Sequence, residues 1–184
     1  MILSHGDEDH AGEVQNYLNN KRIKHLKINE GELSQFEELA LKYINNDKYE
    51  PKGVEIDYLD TKIYDNENDN SLITYFVVDG YKFLSMGDAS YVTEKELLKK
   101  YDIGKVDILK VGHHGSKTSS SIGFINEINP EYSIISVGKY NRYGHPSREA
   151  LRNLSDSKIY RTDVYGSIMF RIKNNKLKIE MCIP

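Results

Sequence analysis

Short apolar blocks along the chain alternate with stretches in which apolar positions recur every three or four residues. The first pattern marks strands and the second amphipathic helices. Strands are predicted over Val54–Leu59, Ser71–Val78, Tyr81–Met86, Val106–Val111, Tyr132–Val137 and Lys158–Arg161. Helices fall between the later ones: Thr93–Tyr101, opened by the capping box Thr93-Glu-Lys-Glu96; Ile122–Ile128, closed by Asn129-Pro130; and Ser147–Leu154. Asp79-Gly80 joins Ser71–Val78 to Tyr81–Met86 as the strongest hairpin signal. Asn174-Asn175 predicts a second hairpin, Ser167–Ile172 with Lys176–Ile183.

The first third is patterned differently. Ile2 and Leu3 read as the end of a short buried strand, followed by a helix that opens at Ala11–Val14 and runs to Asn19. Arg22–Ile28 alternates as a short strand, with His25 inside it as a surface or packing residue. Glu32–Asn45 is the clearest helix, with Leu33, Phe36, Leu39 or Ala40, and Tyr43 or Ile44 on one face. Tyr64–Asn70 is a polar loop. The fold class expected is α/β, with some α+β character.

Composition narrows the picture. A length of 184 residues suits a single domain over 1–184 with its own core. No stretch approaches the ~20 apolar residues of a membrane span, and no basic-then-apolar leader precedes the first motif. The one cysteine, Cys182, has no partner for an internal disulfide. The net charge of −3 hides an asymmetry: residues 1–104 hold 12 Lys and Arg against 21 Asp and Glu, a net −9, and residues 105–184 hold 13 against 7, a net +6. A basic half beside a cluster of anionic residues suits a phosphate-bearing substrate; chance scatter of surface charge explains it about as well.

The candidate chemistry sits at strand ends. Ser4-His5-Gly6-Asp7-Glu8-Asp9-His10 brings two imidazoles and two alternating carboxylates, Asp7 and Asp9, to a strand-to-helix turn. An acidic helix start explains the carboxylates but not two histidines at this spacing. Several such groups aimed into one pocket make a metal site. Asp88 follows Gly87 at the end of an apolar strand, and Gly112-His113-His114-Gly115 follows another, with Lys117 just beyond. His145 lies in a loop with Lys139, Asn141 and Arg142, all suited to phosphate oxygens.

In order, these landmarks resemble the metallo-β-lactamase superfamily, whose signature is His-x-[His/Asp]-x-Asp-His. Asp7 at the second ligand position resembles a subgroup, the metallo-β-lactamase-like domain of the bacterial DNA-uptake protein ComEC and its free-standing relatives. So do Lys110-x-x-His113-His114-Gly-Ser116, Asn141-x-Tyr-Gly-His145-Pro and Arg161-Thr-Asp163-x-x-Gly166. The resemblance covers nearly the whole chain.

That resemblance implies a four-layer αββα sandwich in which several strands precede the first motif, so a sandwich truncated at its N-terminus is expected here. An unpaired apolar edge is then expected to promote self-association. It also implies a two-metal hydrolase using Zn²⁺ or Mn²⁺, with His5 and Asp7 holding one ion, Asp9 and His10 the other, and Asp88 bridging. His113, His114 or both complete the coordination. Metal-activated water then cleaves a phosphodiester, most simply in DNA, with Asp9 at the catalytic centre. His145 hydrogen-bonds the phosphate or protonates the leaving oxygen. Lys117, Asn141 and Arg142 contact substrate, and Lys117 and Arg142 neutralise its charge. A small-molecule phosphodiesterase or phosphorylcholine esterase is the alternative enzyme. A degenerate domain that only binds DNA or a partner is the non-enzymatic one.

Overall fold

The computed structural model describes residues 1–20, 23, 25–29, 31–42 and 53–182. A six-stranded mixed sheet dominates it: β1 (Val54–Leu59), β2 (Ile73–Val78), β3 (Tyr81–Ser85), β4 (Ile108–Lys110), β5 (Tyr132–Ile135) and β6 (Lys158–Arg161), paired in that order. β1, β2 and β3 are antiparallel neighbours; β3 to β6 run parallel. Parallel neighbours require crossovers. Three helices supply them: α4 (Tyr91–Lys100), α5 (Ile122–Ile128) and α6 (Arg148–Asn153).

The strand pleat sends alternate side chains to opposite faces. Leu84, Leu109 and Ile135 point to the helices, where they meet Leu97 of α4, Phe124, Ile125 and Ile128 of α5, and Leu154 after α6 in one buried cluster. The opposite face carries the cross-strand pair Phe76 and Phe83, stacked at 4.7 Å. It also carries Tyr132 and Tyr160, both edge-on to Phe170 of the C-terminal hairpin. That hairpin, β7 (Ser167–Lys173) with β8 (Lys176–Cys182), turns at Asn174-Asn175 as the sequence predicts. The mixed α/β architecture expected from the sequence is present.

Before the sheet come α1 (Glu8–Ala11), α2 (Val14–Asn20) and α3 (Gln35–Leu41). They bury a smaller cluster of Leu3, Ala11, Val14 and Ala40. Several boundaries differ from the sequence reading: the helix expected from Ala11 to Asn19 is two helices, α1 and α2, and β2 and β4 begin at Ile73 and Ile108 rather than at Ser71 and Val106. The Ile2–Leu3 and Arg22–Ile28 strands reduce to one parallel bridge, Ile2 to Lys27, and positions 22 and 24 lie outside the described residues. The Glu32–Asn45 helix starts at Gln35, because Ser34 and Glu37 form a reciprocal capping box; positions 43–45 lie outside the described residues, as does position 183 of the last strand. The Thr93–Tyr101 helix begins at Tyr91 with Ser90 as its cap, and Thr93 lies inside it, donating its hydroxyl to Asp69. Among the described residues no helix is long and apolar enough to cross a membrane.

Candidate metal centre

Parallel strands deliver their carboxyl ends to one edge of a sheet, where ligand sites gather. Here β3 is followed by Asp88, β4 by His113 and His114, β5 by Ser136 and the 138–146 loop, and β6 by Thr162. These residues line a cleft of about 610 Å³, and Asp7 and Asp9 close it from the other side.

The turn after β4 is unusual. His113 and His114 both have left-handed backbone, with φ of 46° and 52°. Non-glycine residues pay ~1–2 kcal/mol each for that conformation, so the surroundings must hold it. His113 N–H donates to Gly87 O at 3.0 Å, and Ser147 N–H donates to Gly115 O at 2.8 Å. Gly115 is required: a Cβ there would lie 2.7 Å from Pro146 Cβ.

The N-terminal segment is held by other means. Leu72 N–H donates to Ser4 O, and Gly6 N–H donates to a Glu67 carboxylate at 2.9 Å. A Cβ on Gly6 would lie 2.2 Å from Ser34 Oγ, so only glycine lets the segment pass beneath α3. Asp7 is the N-cap of α1, yet its carboxylate makes no cap hydrogen bond. It lies 3.6 Å from His5 Nε2 instead.

Seven donors therefore converge. Asp88 is their hub, with carboxylate oxygens 3.1 Å from His10 Nε2, 3.5 Å from His114 Nε2, 3.8 Å from His113 Nε2 and 3.9 Å from His5 Nε2. Asp9 Oδ2 lies 3.1 Å from His114 Nε2. Two tighter groups stand out, His5 with His10 and Asp88, and Asp9 with His10 and His114. His10 is common to both, whereas the sequence reading gave it to one ion. Asp7 and His113 face the same centre from just outside these groups.

The outward ring nitrogens are already engaged. His114 Nδ1 lies 2.6 Å from Ser136 O, so it carries the proton and leaves Nε2 with its lone pair. Ser4 Oγ is 3.1 Å from Nδ1 of both His5 and His10, and Ser71 Oγ also reaches His5 Nδ1 at 3.3 Å while accepting from Asp88 N–H at 2.9 Å. Oxygen partners on the far nitrogen are what orient metal-ligating imidazoles. His5 Nε2 and Asp88 Oδ1 are fully buried without a well-directed hydrogen bond, although Oδ1 lies 3.1 Å from His10 Nε2. Unsatisfied buried polar atoms are costly, and a divalent cation satisfies both at once. The residues present fit a metal.

Electrostatics agree. Burial, and then the facing His10, hold His5 below the ordinary imidazole range despite the nearby carboxylates, so it is neutral, the form that ligates. Burial pushes Asp88 up, but the surrounding His10, His114 and His5 outweigh it and hold the carboxyl at about 2. Burial draws the Lys110 ammonium down while Asp88 and Asp9 pull it up, and its Nζ donates to Val111 O at 3.3 Å.

The remaining candidates are less central. His145 lines the cleft, edge-on to His113 at 5.8 Å; burial, with His113 and His114, pulls its pKa down. Asn141 also lines it but spends its amide on Gly138 O and on both backbone groups of His145. Arg142 is exposed and bonds the Tyr143 hydroxyl. Lys117 is exposed and does not line the cleft. Sequence reasoning missed Ser4, Glu67, Ser71 and Tyr143.

Residues 1–139 match the model of the metallo-β-lactamase superfamily. The chain is 33% identical to ComE operon protein 3 of Bacillus subtilis over 95% of its length, and 32% identical to competence protein ComA of Neisseria gonorrhoeae over 98%. It is 29% identical to recombination protein 2 of Haemophilus influenzae, again over 98%. The aligned region makes up 24%, 26% and 23% of those proteins, so the chain spans about a quarter of the relatives it matches. With this match over most of the chain, and a His/Asp cluster at the strand ends, the chain belongs to the metallo-β-lactamase superfamily.

Proposed function

We propose that the chain is a binuclear metallo-hydrolase that cleaves phosphodiester bonds, with DNA as substrate. One observation carries this reading: three imidazoles whose outward nitrogens are engaged aim Nε2 at two carboxylates, leaving buried donor atoms unpartnered. His5, His10 and Asp88 form one candidate ion group and Asp9, His10 and His114 the other. The single free lone pair of His10, on Nε2, would serve one of the two ions, with Asp7 and His113 as further donors beside them. The relatives named for competence and recombination favour DNA.

Zn²⁺ or Mn²⁺ at such sites supplies Lewis acidity, activates water and clamps phosphate oxygens. The chain's own residues do the rest. Asp9, exposed on the cleft side, accepts a proton or hydrogen bond from the attacking water. His145, with its pKa lowered, is neutral at pH 7 and donates a hydrogen bond to a phosphate oxygen. Arg142 and Lys139 on the rim, and Lys117 beyond it, attract the polyanion.

Elemental analysis of the purified chain, joined to cleavage assays on single- and double-stranded DNA with added Mn²⁺ or Zn²⁺, tests the reading. Two ions per chain with DNA cleavage is the expected result. Two ions with hydrolysis only of small phosphodiesters would favour a phosphodiesterase of small molecules, and no bound ion would favour a binding domain.

A further inference from the structure

The loop at 138–146 carries two large aromatic side chains that the core does not use. Tyr140 is 91% exposed and Tyr143 is 67% exposed. Each is paired with the cation that precedes it: Lys139 Nζ lies 5.9 Å from the Tyr140 ring, and the Arg142 guanidinium 5.0 Å from the Tyr143 ring.

The loop holds these rings in place. Asn141 Nδ2 donates to Gly138 O at 3.0 Å and to His145 O at 2.8 Å, while its Oδ1 accepts from His145 N–H at 2.9 Å. One side chain thus ties the two ends of the loop together. Tyr143 lies nearly parallel to His145, at 5.8 Å and 19°, and His145 is edge-on to His113 at 5.8 Å. A run of rings leads from the donor cluster to solvent, and Tyr143 is its last member and part of the cleft wall.

A ring with a neighbouring cation, on the wall of a cleft, matches one nucleotide, base on ring and phosphate on cation. We propose that Tyr143, assisted by Tyr140, is a stacking platform for the nucleobase next to the scissile phosphate, so that the cleft takes unpaired nucleotides. A base inside a duplex has both faces covered by its neighbours and must leave the stack to reach such a ring. The inference rests on the nuclease reading above and adds the strandedness of its substrate.

The test compares three substrates of the Mn²⁺-loaded chain: a thymidylate dodecamer, a dodecamer of abasic tetrahydrofuran units with the same charge, and a duplex. The wild type should cleave the thymidylate strand with a kcat/KM roughly ten-fold above the abasic strand, the size expected of one base–aromatic stack, and above the duplex. Tyr143→Ala should bring the base-to-abasic ratio close to one. Tyr143→Phe should keep it, since the ring and not the hydroxyl is needed. A wild-type ratio of one, or a Tyr143→Ala variant that loses activity with its ratio intact, would overturn the platform. Failure of the nuclease reading looks different: no strand is cleaved. Fluorescence anisotropy of the same oligonucleotides then decides. A base preference in binding that Tyr143→Ala removes supports the platform, and equal or absent binding rejects it.

Discussion

The two sides of the donor cluster are built in different ways. Asp88, His113 and His114 stand at the ends of paired strands, on a core drawn from β2 to β5 and from α4 and α5. His5, Asp7, Asp9 and His10 ride on a segment whose own core is Leu3, Ala11, Val14 and Ala40, tied down, among the described residues, by one bridge and a few long-range hydrogen bonds. The sheet side is preorganised by the fold. The N-terminal side depends on Glu67, Ser71 and Leu72, which reach across to it, and on whatever the donors bind. A metal shared between the halves would therefore act as a staple, because metal-binding energy is also folding energy.

The largest effect should come from the residue where the halves meet. Asp88 faces His5, His10, His113 and His114, and the nearest of these, His10 Nε2, lies 3.1 Å from its Oδ1. Asp88→Ala should remove bound metal and abolish activity yet leave the circular dichroism spectrum nearly unchanged. Metal content at the wild-type level in that variant would refute its role as hub.

Next in size is a change confined to the sheet side. Gly115→Ala adds a Cβ at φ +79°, 2.7 Å from Pro146 Cβ. Strain of this kind costs about 1–3 kcal/mol, and here it falls on the turn that carries His113 and His114. The urea midpoint should drop measurably in the metal-free chain. If it does not, this turn is less rigid than its contacts imply, and the contrast between the two sides weakens.

A smaller effect probes the link between them. Ser71→Ala leaves Asp88 N–H and His5 Nδ1 each one partner short. Losing partners of this type lowers metal affinity by roughly 10–100-fold, which competition with a chelator reads directly. Unchanged affinity would mean that Ser4 Oγ alone orients His5.

Much of this was legible in the sequence, and the limits have physical causes. Strand and helix periods locate every element of the sheet, and the glycine-flanked histidines at strand ends point to the cleft. Long-range partners are hidden: Ser71 and the Ser136 carbonyl reach the donors, and Glu67 holds the Gly6 amide between them, from segments distant in sequence. The start of α4 escapes a local reading for the same reason, since Asp69 binds both Ser90 N–H and the Thr93 hydroxyl from outside the helix. The Ser34-Gln-Phe-Glu37 box was local and readable, and it would have shortened the predicted α3. Consecutive left-handed histidines were not readable, because nothing in a side chain announces a backbone that its surroundings impose.

The smallest expected effect concerns charge at the rim, on the basic C-terminal half of the chain. Arg142 is exposed, and in the free chain its guanidinium engages only the neighbouring Tyr143 among the interactions described. It is thus free to exchange that contact for a phosphate when a polyanion arrives. Each phosphate contact releases condensed counterions, so the logarithm of affinity falls with the logarithm of salt in proportion to the number of contacts. Arg142→Ala should flatten that slope by about one unit while leaving metal content unchanged. Measured by anisotropy on a single-stranded oligonucleotide from low to physiological salt, an unaltered slope would place the phosphate path elsewhere on the basic half. An affinity indifferent to salt in the wild type would mean that the cleft takes a ligand with little charge.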